Sequence, residues 1–125
     1  MTVRYSAEVI SSALAGQPSG GETVYSSPDH DALLAVGERW HVQARFTKVI
    51  GSPSVKVYLE TSNDRSNWIT LGPVIDESPV FEGQVAGGSK GPGLVVGAYM
   101  RVYVASSIVV GDGVFLSVSI DSRSE

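Results

Sequence analysis

The chain has no cysteine among its 125 residues. Disulfide bonds, thiolate metal sites and cysteine nucleophiles are therefore excluded. Charged residues are also scarce, at 18%, with 13 acidic against 9 basic side chains and a net charge of −4. Because the basic residues form no stripe along the chain, nothing supports nucleic-acid binding through phosphate neutralisation.

Long apolar runs are missing as well. The first residues lack an apolar core of signal-peptide length. The most apolar stretch, residues 94–100, is far shorter than the ~20 residues that span a bilayer. We therefore expect a soluble protein that is made in the cytoplasm and has no membrane partner.

Glycine and apolar residues, in contrast, are plentiful. Hydrophobic residues make up 42% of the chain, and there are 14 glycines and six prolines. The apolar content is typical of a folded chain, and the length predicts that residues 1–125 form a single domain. Glycine and proline without a collagen-like period indicate turns between many short elements.

Hydrophobicity alternates with a period of two along much of the chain. Trp40, Val42, Ala44 and Phe46 alternate with polar side chains, as apolar and polar positions do in a half-buried strand. The same alternation predicts three more strands, at residues 55–60, 98–104 and 114–121. Shorter candidates for strands are residues 3–10, 23–26, 33–36, 68–71 and 79–81.

The breaks between these segments are rich in turn residues. Gly51-Ser52-Pro53 and Gly111-Asp112-Gly113 predict hairpin turns, and residues 16–21 and 87–93 predict loops. No helical stripe is present beyond one possible turn at residues 31–36. The pattern predicts an all-β fold, an antiparallel β-sandwich of about seven to nine short strands, either jelly-roll-like or immunoglobulin-like.

Residues with catalytic chemistry are few. His30, between Asp29 and Asp31, would suit a metal site or an acid–base group, but a solvated turn is favoured because zinc needs three or four ligands. His41 has the outward parity of its strand. The chain has no Gly-x-Ser-x-Gly elbow and no P-loop spacing at residues 87–91. We therefore predict a non-enzymatic protein with no catalytic residue and no cofactor.

Two groups of oxygen-bearing side chains are further candidates for a site. Asp76 and Glu77 are sequence neighbours, so they would diverge in an extended segment. Residues 62–67 offer several oxygens that suit calcium, but they lack the acidic spacing of an EF-hand. A structural turn is the favoured interpretation, and no metal site is predicted.

Large aromatic side chains occupy the outward parity of the predicted strands. Tyr58, Tyr99, Tyr103 and Phe115 lie opposite the apolar faces of their strands. Aromatics are enriched at protein interfaces, although scattered surface aromatics are also normal. We predict that Tyr58, Tyr99 and Tyr103, together with Arg101, bind a partner.

Residues 55–72 contain an alternating strand, a Ser62-Asn63-Asp64 turn and an Asn67-Trp68 strand that ends in Leu71-Gly72. This segment resembles a β-hairpin of small β-sandwich proteins from tailed bacteriophages. Similar proteins continue with a Tyr-x-Arg-Val strand, which Tyr99-Met100-Arg101-Val102 matches. The resemblance covers about residues 38 to 121.

The resemblance implies a virion accessory protein, that is, a capsid decoration, cement or tail subunit. Its partners would be virion proteins and copies of itself, with a trimer favoured. It would be synthesised in the host cytoplasm and located in the virion. Residues 1–31 would form either an arm that orders on a neighbouring subunit or a first strand followed by a long loop.

The same hairpin resembles part of discoidin-type and other carbohydrate-binding sandwiches, in which a Ser-Asn-Asp-Gly turn precedes a tryptophan. Arg65 stands here in place of that glycine. A carbohydrate-binding module or a glycan-binding tail domain is therefore the alternative function, provided that the tyrosine-bearing strands are adjacent. Trp68 is predicted to enter the core, so that Trp68→Ala would cost ~3–5 kcal/mol.

Overall fold

The structure, a computed structural model, describes residues 3–15, 22–26, 39–90 and 99–124, and these residues form eight strands. The strands are β1 (Val3–Ala15), β2 (Glu22–Ser26), β3 (Arg39–Ile50), β4 (Ser54–Ser62), β5 (Ile69–Glu77), β6 (Val85–Lys90), β7 (Tyr99–Ser107) and β8 (Gly113–Ser124). The all-β prediction is confirmed, although three strands reach 12 or 13 residues and are not short. Within the described ranges, no helix has the length and apolarity needed to cross a membrane.

The strands form two four-stranded antiparallel sheets, with orders β1-β8-β3-β6 and β2-β7-β4-β5. The pairs β1–β8, β2–β7, β3–β6 and β4–β5 are those of one long hairpin. Pairing of β8 with β3 and of β7 with β4 rolls this hairpin into a sandwich. This order is that of a jelly roll, so the strand order decides against the immunoglobulin-like alternative.

The core lies between the two sheets and consists of the residues that the period of two placed inward. From β3, Trp40, Val42, Ala44 and Phe46 are fully buried. The inward residues of the other three predicted strands are buried as well: Val55, Val57, Leu59, Met100, Val102, Val104, Val114, Leu116, Val118 and Ile120. The four strongest strand predictions are thus confirmed, along with the inward face of each.

Two connections were predicted wrongly. Residues 51–53 join β3 in one sheet to β4 in the other, and residues 108–112 likewise join β7 to β8. Both are crossovers between sheets, not hairpin turns. A hairpin turn and a crossover between sheets have the same sequence pattern, because each reverses the chain between two alternating strands. The hairpin predicted at residues 55–72 is confirmed as β4–β5.

The glycine-rich segment that begins at Gly87 was predicted to be a loop, but residues 85–90 form strand β6. The glycines suit an edge strand here. A Cβ atom at Gly88 would overlap the carbonyl oxygen of Val74 in β5, so the edges of the two sheets meet at this point. Glycine therefore permits close approach of two backbones.

Among the shorter candidates, residues 79–81 do not form a strand, because Phe81 begins a turn that is closed by a hydrogen bond from Gln84. The candidate at residues 68–71 extends to Glu77, passing through Pro73, which an edge strand accepts. Residues 16–21, 31–36 and 91–93, where loops, a turn and a strand were predicted, lie outside the described residues.

Two segments of the N-terminal 31 residues are strands of the sandwich. β1 pairs with β8 from Val3 to Ala15, and β2 pairs with β7 from Glu22 to Ser26. The action of this region as an arm on a neighbouring subunit stays a prediction.

Candidate functional site

Strands β4 and β7 are adjacent, so their outward side chains form cross-strand rows. The register opposes Tyr58 to Tyr103, Glu60 to Arg101, and Ser62 to Tyr99. Rows on one face of a sheet are about 7 Å apart along the strands. The four residues predicted to bind a partner therefore share the outer face of the β2-β7-β4-β5 sheet. We call this surface the aromatic face; it comprises Tyr58, Glu60, Arg65, Trp68, Tyr99, Arg101 and Tyr103.

The first row is an aromatic pair. The ring centroids of Tyr58 and Tyr103 are 6.1 Å apart, with an angle of 65° between the ring planes. This edge-to-face geometry is the favoured one for two aromatic quadrupoles, and it contributes about 0.5–1.5 kcal/mol beyond the area that is buried. The pair therefore orders both rings before any partner arrives.

Arg101 occupies the centre of the aromatic face. Its Nε donates a hydrogen bond of 2.7 Å to Oε1 of Glu60, and the two side chains are only 20% and 14% exposed. The Arg101 guanidinium carbon also lies 4.1 Å from the centroid of the Trp68 ring, within the range of a cation–π contact. Arg101 is thus fixed by an ion pair and by stacking.

Trp68 is not a core residue, and the prediction that placed it there was wrong. Its side chain is half-buried and stacks against Arg101 on the outer face. Strand β5 begins only at Ile69, so the alternation of the strand does not extend to Trp68. The buried tryptophan is Trp40.

The Ser62–Asn67 segment forms the β4–β5 turn, organised by Asp64. Oδ1 of Asp64 accepts hydrogen bonds from the backbone amides of Asn67 (2.8 Å) and Ser66 (2.9 Å). These bonds, that of Asn67 first, lower the pKa of the Asp64 carboxyl well below its ordinary value of 3.8. The carboxylate satisfies donors of its own turn, in agreement with the structural interpretation of these residues.

Arg65 adopts the left-handed conformation, which favours glycine. Its φ is +62°, an uncommon value for a residue with a side chain. The Arg65 guanidinium carbon lies 4.9 Å from the centroid of the Tyr99 ring. Arg65 therefore places a cation from the β4–β5 turn on the aromatic face.

The remaining candidate residues do not gather into a site. His41 is exposed, as predicted, and its Nδ1 is 2.8 Å from the Ser89 hydroxyl on β6. Asp76 and Glu77 occupy successive positions of β5 and diverge. His30 lies outside the described residues. Within the described residues, no three His, Cys, Asp or Glu side chains are grouped as metal ligands.

Sequence reasoning missed three members of the aromatic face: Glu60, Arg65 and Trp68. A signal existed for Glu60, which has the same parity as Tyr58. For Arg65, the sequence shows only that arginine stands where similar turns have glycine. The position of Trp68 depends on the path of the β4–β5 turn and on its contact with Arg101 of β7, which is a tertiary contact.

The outer face of the other sheet differs in composition. Its centre is a shallow polar cleft of about 230 Å³, lined by Gln43, Arg45, Ser117 and Ser119. Short hydroxyl side chains dominate β8 there, and no aromatic ring lines the cleft. On the aromatic face, in contrast, contacts between rings and guanidinium groups order the surface before a partner binds.

The fold thus places the chain in the class of jelly-roll β-sandwiches. No family model matches the sequence, and no curated protein matches it. Similar solved structures come from infectious bursal disease virus. Virus-derived T=1 particles match with a TM-score of 0.58 and 11% identity over 97% of this chain. The VP2 subviral particle matches with 0.58 and 11% over 96%, and the Gt strain with 0.55 and 12% over 97%.

This chain spans 32% of the length of each of these three viral chains. At 10–12% identity, the likeness shows the fold, and the fold is shared by proteins of many functions.

Proposed function

We propose that this chain is a non-enzymatic structural protein of a virion that acts through protein–protein contacts. The observation that carries the proposal is the aromatic face, where tyrosine rings and guanidinium groups are fixed by one another on an open sheet. Tyr, Trp and Arg are the residues that most often dominate binding energy at protein interfaces. Because their geometry is set beforehand, little side-chain entropy is lost when a partner binds.

The virion assignment is supported by the fold. Nearly the whole chain matches part of the proteins in the viral particles named above. Jelly rolls also occur in lectins and cupins, so the fold alone does not choose among these functions. The resemblance of the 55–72 hairpin to tailed-phage sandwich proteins supports the narrower assignment, a capsid decoration, cement or tail accessory subunit. In this role the protein is made in the host cytoplasm and assembles as a homo-oligomer, with a trimer favoured.

Tyr58, Tyr99, Arg101 and Tyr103 are the proposed contact residues for the virion partner. The alternative, glycan binding, needs ring faces that are free to stack on a sugar. The strands that carry the tyrosines are adjacent, as this alternative requires. However, Arg101 covers one face of Trp68, and Arg65 covers one face of Tyr99. Covered rings favour a protein partner.

The direct test is mass spectrometry of density-purified particles from the source culture. We expect the chain to sediment with the particles in a fixed ratio to the major capsid protein. Recovery of the chain only in the particle-free fraction would contradict the virion assignment.

A binding assay tests the contact residues. We expect a Tyr58→Ala/Tyr103→Ala variant to lose binding to particles depleted of the protein. The matched control is Gln43→Ala/Ser119→Ala, which alters an opposed pair on the other outer face. Retained particle binding by the tyrosine variant would contradict these contact residues. Glycan-array binding by the wild type that this variant abolishes would favour the glycan alternative.

A further inference from the structure

Large exposed hydrophobic side chains cluster at one end of the sandwich. Seven occur among the described residues, and six of them lie at or beside the end formed by the β3–β4, β5–β6 and β7–β8 connections. We call this surface the apolar end; it consists of Ile50, Phe81, Val85, Val109, Val110 and Phe115. The seventh, Ile69, lies at the opposite end, where β5 begins.

A tight turn presents two of these side chains. The amide of Asp112 donates a 3.0 Å hydrogen bond to the carbonyl of Val109, and Gly111 has a φ of +92°. Val109 and Val110 are 64% and 58% exposed. Turns of this kind normally carry polar residues at such positions. Two valines in an exposed turn indicate a surface that becomes covered.

A second turn presents Phe81 in the same manner. The amide of Gln84 donates to the carbonyl of Phe81 (3.0 Å), and the Gln84 side-chain oxygen accepts from the Phe81 amide (2.9 Å). Gly83 supplies the positive φ, +83°, that the turn requires. Phe81 is 65% exposed although both its amide and its carbonyl are hydrogen-bonded to Gln84.

The three connections that the structure describes at this end are bonded to one another. The amide of Val80 donates to the carbonyl of Pro53 (2.9 Å), which ties the β5–β6 connection to the β3–β4 connection. The amide of Ser52 donates to Oδ2 of Asp112 (3.2 Å), which ties the β3–β4 connection to the β7–β8 connection. The backbone of the apolar end is therefore held in place before a partner binds.

An apolar groove of about 450 Å³ adjoins the valine turn. Its walls include Leu14, Lys48, Ile50, Val114 and Phe115. One end of a single chain thus carries both a protruding apolar turn and an apolar groove. A second copy, related by rotation, would present its turn to the groove of the first.

The charges beside the apolar end are of both signs. Lys48 is exposed and makes no ion pair within the described ranges. The Glu82 carboxylate accepts a hydrogen bond from the Val49 amide (3.3 Å) and has no cationic partner there. The described charges at this end thus include one cation, Lys48, and two carboxylates, Glu82 and Asp112. A second copy can place a carboxylate against Lys48, whereas a purely cationic or purely anionic partner would leave a like charge facing it.

We propose that the apolar end is the contact between copies of this chain in a symmetric oligomer. The six side chains, each about half exposed, together present roughly 600 Å² of mainly apolar surface. A stable interface buries about 800 Å² per partner, which this surface and its charged border can supply. The inference rests on the proposed function for its reason to self-assemble, and it names the surface used.

Sedimentation velocity of the full chain tests this contact. We expect an oligomer for the wild type and a rise of at least about thirtyfold in its dissociation constant for Val110→Asp. Ile69→Asp is the matched control, because Ile69 is similarly exposed at the other end and its change adds the same charge. Lys48→Glu should weaken the oligomer, and Lys48→Glu/Glu82→Lys should restore it.

A monomeric wild type would overturn the proposal, as would an oligomer that Ile69→Asp disrupts and Val110→Asp does not. Circular dichroism checks the fold of each variant. If Val110→Asp fails to fold, Phe81→Ser replaces it with the same expected dissociation. A monomer that still sediments with particles would refute this contact and leave the proposed function intact. An oligomer that Val110→Asp dissociates, but that is absent from particles, would support this contact and contradict the proposed function.

Discussion

The outer face of the β2-β7-β4-β5 sheet carries rings and guanidinium groups, whereas the outer face of the β1-β8-β3-β6 sheet has a shallow cleft lined by Gln43, Arg45, Ser117 and Ser119. Both faces come from strands with the same period of two. Only the outward residue types differ, and this difference changes the physics of the surface. Rings and guanidinium groups fix one another in place, while the serines of β8 leave a shallow cleft.

The two arginines at the centres of these faces illustrate the contrast. Arg101 is 20% exposed, bonded to Glu60 and stacked on Trp68. Arg45 is exposed and has neither an ion pair nor a ring contact among the described residues. A fixed arginine loses little entropy on binding, whereas a mobile one must be ordered first.

The largest expected effect comes from comparing the tryptophan of the core, Trp40, with the tryptophan of the aromatic face, Trp68. Trp40→Ala removes a fully buried ring and should lower the free energy of unfolding by about 3–5 kcal/mol. Trp68→Ala removes a half-buried ring and should lower it by about 1–2 kcal/mol. Urea denaturation measures both. Equal losses would mean that the aromatic face is covered as fully as the core.

The next effect compares the two arginines. Arg101→Ala leaves Glu60 without its partner and should cost about 2 kcal/mol, since the pair is partly buried. Arg45→Ala should stay within about 0.5 kcal/mol of the wild type. Urea denaturation of the two variants in parallel measures both losses of unfolding free energy. Similar losses would mean that the two arginines do not differ in their contribution to stability.

A smaller effect is the coupling of the two tyrosines. A double-mutant cycle on Tyr58 and Tyr103 should give an interaction energy of about 0.5–1.5 kcal/mol, because the rings meet edge to face. The control cycle uses Gln43 and Ser119, an opposed pair on the other face, and should give nearly zero. Coupling in the control cycle as large as in the tyrosine cycle would show that ring contact is not the cause.

The smallest effect concerns the turn that carries Arg65. Its organiser, Asp64, has a pKa lowered in the folded state by hydrogen bonds, first from the Asn67 amide. Its contribution to stability is therefore complete above its ordinary pKa and is lost as the pH falls below about 4. Thermal melts between about pH 5 and pH 2.5 should show Asp64→Asn losing less stability than the wild type on acidification. Parallel curves for the two proteins would contradict this.

The aromatic face was predictable in part. Parity placed Tyr58, Tyr99 and Tyr103 outward, and the structure confirms their orientation, but their role in binding stays a prediction. Adjacency of β4 and β7, which makes the residues one surface, lies in the long-range pairing of strands that are separated by some 40 residues. No local pattern encodes that pairing, because an alternating strand can pair with any other.

The sequence by itself determined the all-β class, the four strongest strands and the inward residues of each, since a period of two arises within a few residues of chain. Only the tertiary structure decided the strand order, the crossovers at residues 51–53 and 108–112, and the outward position of Trp68. The physical reason is that burial and local turns act over short segments, whereas sheet membership depends on which distant backbones share hydrogen bonds. The surfaces proposed for binding depend on this long-range pairing of strands.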